Sequence, residues 1–316
     1  MLDIIDKSVK NIDFKKSILK GLTQPQKTIS SEWFYDDLGA TIFDAITKLP
    51  EYYPTRVEME ILQTHIEDLT KNMGPNVELI EFGSGSSEKT RFLFDNHAGI
   101  KRYIPIEISE AYLTASTTRL RQDYPVLDIV PKNGSFLETH SYPDVKPNNR
   151  RVGFFPGSTI GNLSDLQIAN FLSTARHDLG DQSALIIGVD IRKSPDIIIP
   201  AYNDNIGVTA AFNLNLLNRI NRDVGGNFDV RNFKHSAIWN DKPSRIEMHL
   251  ESQIQHIVNI EDSVFHFEEG ETILTEISRK FPDGYLNQLA AQQGWRTQAS
   301  WTDGQAWFQL IQFEAA

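Results

Sequence analysis

Glu78-Leu79-Ile80-Glu81-Phe82-Gly83-Ser84-Gly85-Ser86-Ser87 reads as a short buried strand, a Gly-x-Gly turn and the start of a helix. Glycine tolerates a positive φ and lets a ligand approach the backbone closely. The helix start beyond it offers unpaired N–H groups, with Ser86 or Ser87 as the expected cap. A dinucleotide fingerprint would carry a third glycine at position 88 to help bind a pyrophosphate. That position is Glu88, whose carboxylate suits the role poorly and disfavours a nicotinamide dehydrogenase.

Glu81 stands two residues before the first glycine. An acid there fits a ligand with a zwitterionic aminoacyl end and no phosphate, S-adenosylmethionine. Glu107 closes the next predicted strand, where a carboxylate can accept both ribose hydroxyls of an adenosyl group. Gly-x-Gly alone is equally the signature of a tight strand-to-helix turn. Glu81, Gly83, Ser84, Gly85 and Glu107 are therefore cofactor candidates as a set.

Outward from this stretch the pattern alternates. Strands are predicted at Val77–Phe82, Tyr103–Ile108, Leu127–Val130, Val152–Phe155 and Ala184–Val189. Helices are predicted from Ser86 or Ser87, from Ser109 to before Pro125, and over Asp165–Leu179 up to Gly180. Alternating buried strands and helices predict a parallel sheet with helices on both faces. The pattern then changes. A long helix, Ile206–Asp223, runs to Gly225-Gly226. Alternating runs at Arg245–Val258, Ser263–Phe267 and Glu271–Ser278 look like antiparallel strands outside that sheet. A helix over Gly284–Gln293 and a hairpin, Trp295–Trp301 with Ala306–Phe313, suit the far edge of the parallel sheet. Residues 57–191 and 280–316 are thus expected to form one domain. Residues 192–279 are inserted in it and joined by 1–56, of which the first ~25 are expected to be loosely held.

Composition narrows the class. The chain has 316 residues, 40% of them hydrophobic, enough for a packed core. Acidic residues exceed basic ones, 42 to 31, for a net charge of −11. That argues against nucleic acid or an anionic membrane as partner. The absence of cysteine excludes disulfides, thiolate metal sites and cysteine nucleophiles. The eight histidines are scattered, with no metal-binding pair, so no metal is expected. The early acids and the short apolar runs predict no signal peptide and no membrane span, and a cytoplasmic location.

A second loop is polar where a crevice is expected. Phe154-Phe155-Pro156-Gly157-Ser158-Thr159-Ile160-Gly161-Asn162 follows the fourth predicted strand, at the strand end that faces ligands in open α/β sheets. Gly157 and Gly161 keep the backbone low, and Asn162 brings a donor and an acceptor. The same residues also make an ordinary turn-rich loop.

These stretches resemble the ergothioneine-pathway histidine Nα-methyltransferases, which make the betaine hercynine from histidine. The resemblance runs from about Ser31 to Phe313. It includes Trp33-Phe34-Tyr35-Asp36, Leu49-Pro50-Glu51-Tyr52-Tyr53-Pro54-Thr55-Arg56, Gly83–Arg91, Gly157–Asn162, Gly207-Val208-Thr209-Ala210-Ala211-Phe212-Asn213 and Thr275-Glu276-Ile277-Ser278. It implies a class I Rossmann-like methyltransferase domain with an inserted α+β substrate-binding domain. The implied ligands are S-adenosylmethionine, released as S-adenosylhomocysteine, and L-histidine.

Carried over by position, Gly83, Lys89 and Glu107 hold the cofactor, with Ser135 and Phe136 near the adenine. Tyr52, Asn162 and Tyr202, beside Gly157, bind the substrate carboxylate, and Tyr35 lies near the reacting amine. Glu276 and Ser278 grip the imidazole, and Met248 and Phe43 shape the pocket. Ser135 stands where the family usually has Asp, and Glu107 where a shorter Asp is common.

The residues themselves agree in part. Glu276 and Ser278 are two apart in an alternating run and share a strand face. A carboxylate and a hydroxyl together satisfy both imidazole nitrogens. The same pair also suits a plain solvated face. Met248 alternates with Ile246 and Leu250, a core pattern, and Tyr35, Tyr52 and Tyr53 read by themselves as core aromatics. The expected reaction transfers three methyl groups to the α-nitrogen of histidine. A tryptophan derivative as substrate, or a non-catalytic cofactor-binding module, are the alternatives. The first leaves Glu276 and Ser278 partly unmatched, because indole has one N–H and no basic nitrogen.

Overall fold

A computed structural model describes residues 2–85 and 87–316, with side chains from residue 12 onward. The chain divides into two compact units, Met1–Tyr52 with Ser194–Ser278 and Tyr53–Lys193 with Arg279–Ala316; these are called here the first and second unit.

The second unit is built on one sheet of eight strands. In chain order they are β1 (Val77–Phe82), β2 (Ile100–Glu107), β3 (Asp128–Ile129), β4 (Lys132–Asn133), β5 (Arg150–Phe155), β6 (Ala184–Asp190), β7 (Trp295–Thr302) and β8 (Phe308–Ala315). Their order across the sheet is β7-β8-β6-β5-β1-β2-β3, with β4 also pairing β2. Strands β1 to β6 pair in parallel, whereas β8 runs antiparallel to both β6 and β7. All six residues of β1 and all seven of β6 are buried. Strand β6 is apolar up to its last residue, Asp190, as expected of a strand covered on both faces, whereas β1 buries Glu78 and Glu81 among its apolar residues.

One face carries Ile80, Phe82, Ile104, Ile106, Leu185, Ile187 and Val189. The helices Asp165–Leu179 and Tyr285–Gln292 pack on it through Ile168, Phe171, Leu172, Leu286 and Ala290. The long helix Tyr53–Met73 lies on the opposite face, where Gly188 sits against Glu58. Helix ends follow local chemistry. Ser164 and Gln167 form a capping box, and Gly180 ends that helix at φ 86°. The chain passes from β1 to β2 on one side and later to β5 on the other. The carboxyl ends of β1 and β5 therefore flank a topological switch point, where open α/β sheets place their ligands.

The first unit has a four-stranded sheet ordered Lys27–Thr28, Thr272–Arg279, Arg245–Ser252, Phe233–Asn240, and a separate ribbon of His256–Ile260 with Ser263–Phe267. The expected single run Arg245–Val258 is two strands. Ser252 Oγ donates to the Ile254 carbonyl at 2.8 Å and breaks it. The strand Phe233–Asn240 has no counterpart in the sequence reading. The expected loose N-terminus is instead a helix, Leu2–Leu22. Phe14, Ile18 and Leu22, four apart on one stripe, are buried. Lys27–Thr28 then pairs in parallel with Ile273–Leu274.

Candidate functional site

The glycine turn of the second unit is left-handed at both glycines, with φ 75° at Gly83 and 46° at Gly85. A side chain is strained in that region. Gly83 lies beside the Phe136 ring, which a Cβ there would touch at an ordinary 3.8 Å, so the positive φ rather than space is what favours glycine. Phe136 packs on Phe155 with ring centroids 4.9 Å apart, so the loop after β4 covers the turn after β1. Ser135 accepts the Leu137 N–H at 3.2 Å and shapes that loop. Ser87 sits at the cap position of the helix Glu88–Asn96 but makes no side-chain cap bond. Its φ of 57° turns its hydroxyl to within 3.2 Å of the Tyr103 hydroxyl instead. Ser86, the other expected cap, lies outside the described residues.

Glu107 ends β2 beside this turn. One carboxylate oxygen accepts the Gly85 N–H and the other the Ser109 N–H, each at 3.1 Å. Burial raises its pKa, and the backbone N–H groups pull it back. Glu81 is buried, and its carboxylate takes the Tyr103 hydroxyl. Burial lifts its pKa to about 7, against the hydrogen bonds of Tyr103 and Thr90 and the charge of Lys89. Glu81 thus grips Tyr103 within the unit rather than facing solvent.

Lys89 projects from the helix that the glycine turn opens, and its ammonium pairs with Glu58. Glu58 is 0% exposed. Both its oxygens accept the Gly157 N–H, at 2.8 and 3.0 Å. A Cβ on Gly188 of β6 would lie 2.2 Å from that carboxylate, so only glycine leaves room for it. One buried acid therefore joins Lys89, on the helix that follows β1, to Gly157, in the loop that follows β5, the two segments that flank the switch point. The sequence reading missed Glu58. Its signal was a glutamate inside the helical stripe Pro54, Val57, Ile61, Leu62, all of which are buried.

The loop after β5 ends in the turn Thr159–Asn162, which holds Asn162 at its last position. Ser158, at φ 57°, accepts the Asp190 N–H at 2.9 Å. Buried Asp190 in turn takes the Tyr53 hydroxyl at 2.7 Å and pairs with Lys193 and, at 2.8 Å, with Lys280. These bonds anchor the loop to the end of β6.

The first unit collects the other candidates. Tyr35 and Phe43 meet edge to face at 5.6 Å, Phe43 and Tyr52 at 6.2 Å, and Tyr52 and Tyr202 at 6.3 Å. Phe212 backs this row at 5.9 Å from Tyr35 and 5.8 Å from Phe43. The Tyr202 hydroxyl donates to Ser278 Oγ at 2.9 Å. Met248 is buried, and its carbonyl accepts the Thr275 hydroxyl at 3.0 Å. Glu276 is half-buried two residues before Ser278 on the same strand. Among the described residues, no group of three or more His, Cys, Asp or Glu is placed to hold a metal ion. No helix among them is long and apolar enough to cross a membrane.

These residues fit S-adenosylmethionine. Among the described residues the buried Ser84 hydroxyl, within the glycine turn, has no hydrogen-bond partner. The Glu107 carboxylate lies against the same turn, and Lys89 projects from the helix that the turn opens, so a hydroxyl, a carboxylate and an ammonium are present for an amino acid joined to a nucleoside.

Comparison with known proteins agrees. The family model described as "Histidine-specific methyltransferase, SAM-dependent" matches residues 14–315. The "Histidine N-alpha-methyltransferase" of Mycolicibacterium smegmatis is 40% identical over 92% of this chain and 91% of its own length. The protein of the same name from Mycobacterium tuberculosis is 36% identical over 93% and 92%. Among solved structures, the PH0226 protein from Pyrococcus horikoshii OT3 covers 89% of this chain and 100% of its own at a TM-score of 0.52 and 12% identity, a likeness of fold alone. A match that spans nearly the whole chain, on a sheet whose switch point carries the residues such a cofactor needs, places this chain in the S-adenosylmethionine-dependent, histidine-specific methyltransferase family.

Proposed function

We propose that the protein is an L-histidine Nα-methyltransferase. It trimethylates the α-amino group to give hercynine, as in ergothioneine biosynthesis, and releases S-adenosylhomocysteine. The observation that carries this reading is the Tyr202–Ser278 hydrogen bond, 2.9 Å long. It sets side by side the hydroxyl expected to serve the substrate carboxylate and the hydroxyl expected to serve the imidazole, as a single small amino acid requires.

In this reading Gly83, Ser84, Gly85, Lys89 and Glu107 hold the cofactor, with Ser135 and Phe136 at the adenine. Bound S-adenosylmethionine supplies an electrophilic methyl group on a sulfonium. The chain's own task is to present a neutral amine in line with that bond and to exclude water. Tyr52, Tyr202, Gly157 and Asn162 fix the carboxylate. Glu276 accepts one imidazole N–H, and Ser278 serves the other nitrogen. Tyr35 stands at the amine, where its hydroxyl can relay to solvent the proton lost before each displacement, accepting from the amine as it gives up its own. The aromatic faces of Tyr35, Phe43 and Tyr52 suit the growing cation, because ring faces attract quaternary ammonium groups.

Incubation with S-adenosylmethionine and L-histidine, followed by fragmentation mass spectrometry, tests the reading. Three methyl groups on the α-nitrogen and none on the ring are expected. Methylation of a ring nitrogen, or none, would overturn it.

A further inference from the structure

The stretch Gly207–Asn213 carries part of the family resemblance, yet its last residue has no part in the site so far. It opens the helix Val208–Val224, where Asp204 accepts the Val208 and Thr209 N–H groups at 2.9 and 2.7 Å. Phe212 joins the aromatic row. Asn213, the next residue, is fully buried and touches none of the candidate substrate residues through a hydrogen bond of its own. Its amide donates to the His249 carbonyl at 3.1 Å and to His235 Nδ1 at 2.9 Å.

His235 lies on the strand Phe233–Asn240 and is itself buried. Its Nε2 is 2.8 Å from the Tyr202 carbonyl. The chemistry of the neighbours assigns the tautomer. A carbonyl only accepts, so Nε2 carries the proton. The His249 carbonyl orients the Asn213 NH₂ group, so Nδ1 is the acceptor. A neutral imidazole is thereby satisfied on both sides, and burial holds His235 below the ordinary histidine range.

Tyr202 is the last residue of the helix Pro195–Tyr202, where carbonyls lack intrahelical partners. Its carbonyl is held by His235, and its hydroxyl reaches Ser278. The residue is thus held at both ends, its backbone by His235 and its hydroxyl by Ser278, which together set where the ring lies.

We propose that His235, oriented by Asn213, is a positioning residue that sets Tyr202 and, through the Tyr202–Ser278 bond, the grip on the substrate. The inference rests on the reading of Tyr202 and Ser278 as substrate-binding residues. Neither His235 nor Asn213 touches the amino acid. Their effect is on the affinity of the site for histidine and not on the cofactor residues, which belong to the other unit.

The test compares His235→Gln, His235→Asn, His235→Phe and Tyr202→Phe by steady-state kinetics, with calorimetric S-adenosylmethionine affinity as the check of folding. Glutamine places an N–H where Nε2 was, whereas asparagine stops at the position of Nδ1 and phenylalanine keeps only the volume. The expected result is a KM for histidine raised roughly tenfold or more in the Asn and Phe variants, the scale of one lost buried hydrogen bond. The Gln variant should recover most of that loss, with kcat less affected and cofactor affinity unchanged in all. Equal KM values in the Gln and Asn variants, with Tyr202→Phe raised, would overturn the positioning role and leave the Tyr202 assignment standing. A wild-type KM in Tyr202→Phe would overturn the assignment of Tyr202 and the inference with it. If His235→Phe does not fold, the Gln and Asn pair decides alone.

Discussion

Glu58 accepts the Gly157 N–H through both carboxylate oxygens, at 2.8 and 3.0 Å, from a side chain with no exposed surface. The same carboxylate neutralises Lys89. Glu58→Ala should therefore leave a nearly buried ammonium unpaired and destabilise the fold by ~3 kcal/mol. Glu58→Gln keeps an acceptor for Gly157 and should lose less stability, yet bind S-adenosylmethionine about tenfold more weakly, because Lys89 is no longer held. Denaturant melts and calorimetry measure the two effects separately. Wild-type values in both variants would remove Glu58 from the site's architecture.

Glu107 has two tasks in this structure. It braces Gly85 and caps the following helix through Ser109, and it is the residue proposed to meet the ribose. Glu107→Ala should weaken S-adenosylmethionine binding by ~1.5–3 kcal/mol, the scale of hydrogen bonds to a charged group. Unchanged calorimetric affinity in a folded variant would take Glu107 out of the cofactor site.

Glu81 gives a pH dependence whose sign is fixed by burial. Its folded pKa is raised from 4.5 to about 7, so the folded state holds a proton that the unfolded state releases. Stability from this group is lost as pH rises from about 4.5 through about 7, by up to ~3 kcal/mol. Glu81→Gln imitates the protonated acid and still accepts from Tyr103. It should be nearly neutral at pH 4.5 and stabilising at pH 8, in denaturant melts at the two values. A stability difference independent of pH would show that folding does not raise the pKa of Glu81.

Glu276 tests the imidazole grip. Its loss should lower kcat/KM for histidine roughly tenfold to a hundredfold, by leaving a desolvated N–H unmatched. An aromatic without a basic ring nitrogen should suffer less, so the relative rate on tryptophan or phenylalanine should rise. A folded, cofactor-binding Glu276→Ala enzyme with unchanged preference would point to a surface role.

The fold was legible where burial is one-sided or complete. Strand β6 reads as an apolar run because every residue is covered, β1 stands out by Val77, Leu79, Ile80 and Phe82 despite its two buried glutamates, and Ser164, Gln167 and Gly180 marked both ends of one helix. The strand Phe233–Asn240 was not legible, because it is half-exposed and mixes Lys234, His235, Ser236 and Trp239 without clean alternation. The N-terminal helix hid behind a narrow stripe, Phe14, Ile18 and Leu22, among charged residues. In the candidate site, the glycine turn and Glu107 follow from local spacing. Tyr35, Tyr52, Tyr202 and Ser278 come together in one unit from widely separated segments, which no spacing rule reveals. Glu58 and His235 were missed because their importance lies in tertiary partners, a lysine and an amide in one case and a helix-end carbonyl in the other.

The most direct test of the account is a single competition for limiting S-adenosylmethionine among equal concentrations of the free amino acids, read by mass spectrometry. Histidine carrying three methyl groups on its α-nitrogen should dominate the products, with tryptophan and phenylalanine essentially unmodified. Preferential methylation of tryptophan, or equal methylation of all three, would contradict the assignment of Glu276 and Ser278 as an imidazole grip and with it the proposed substrate.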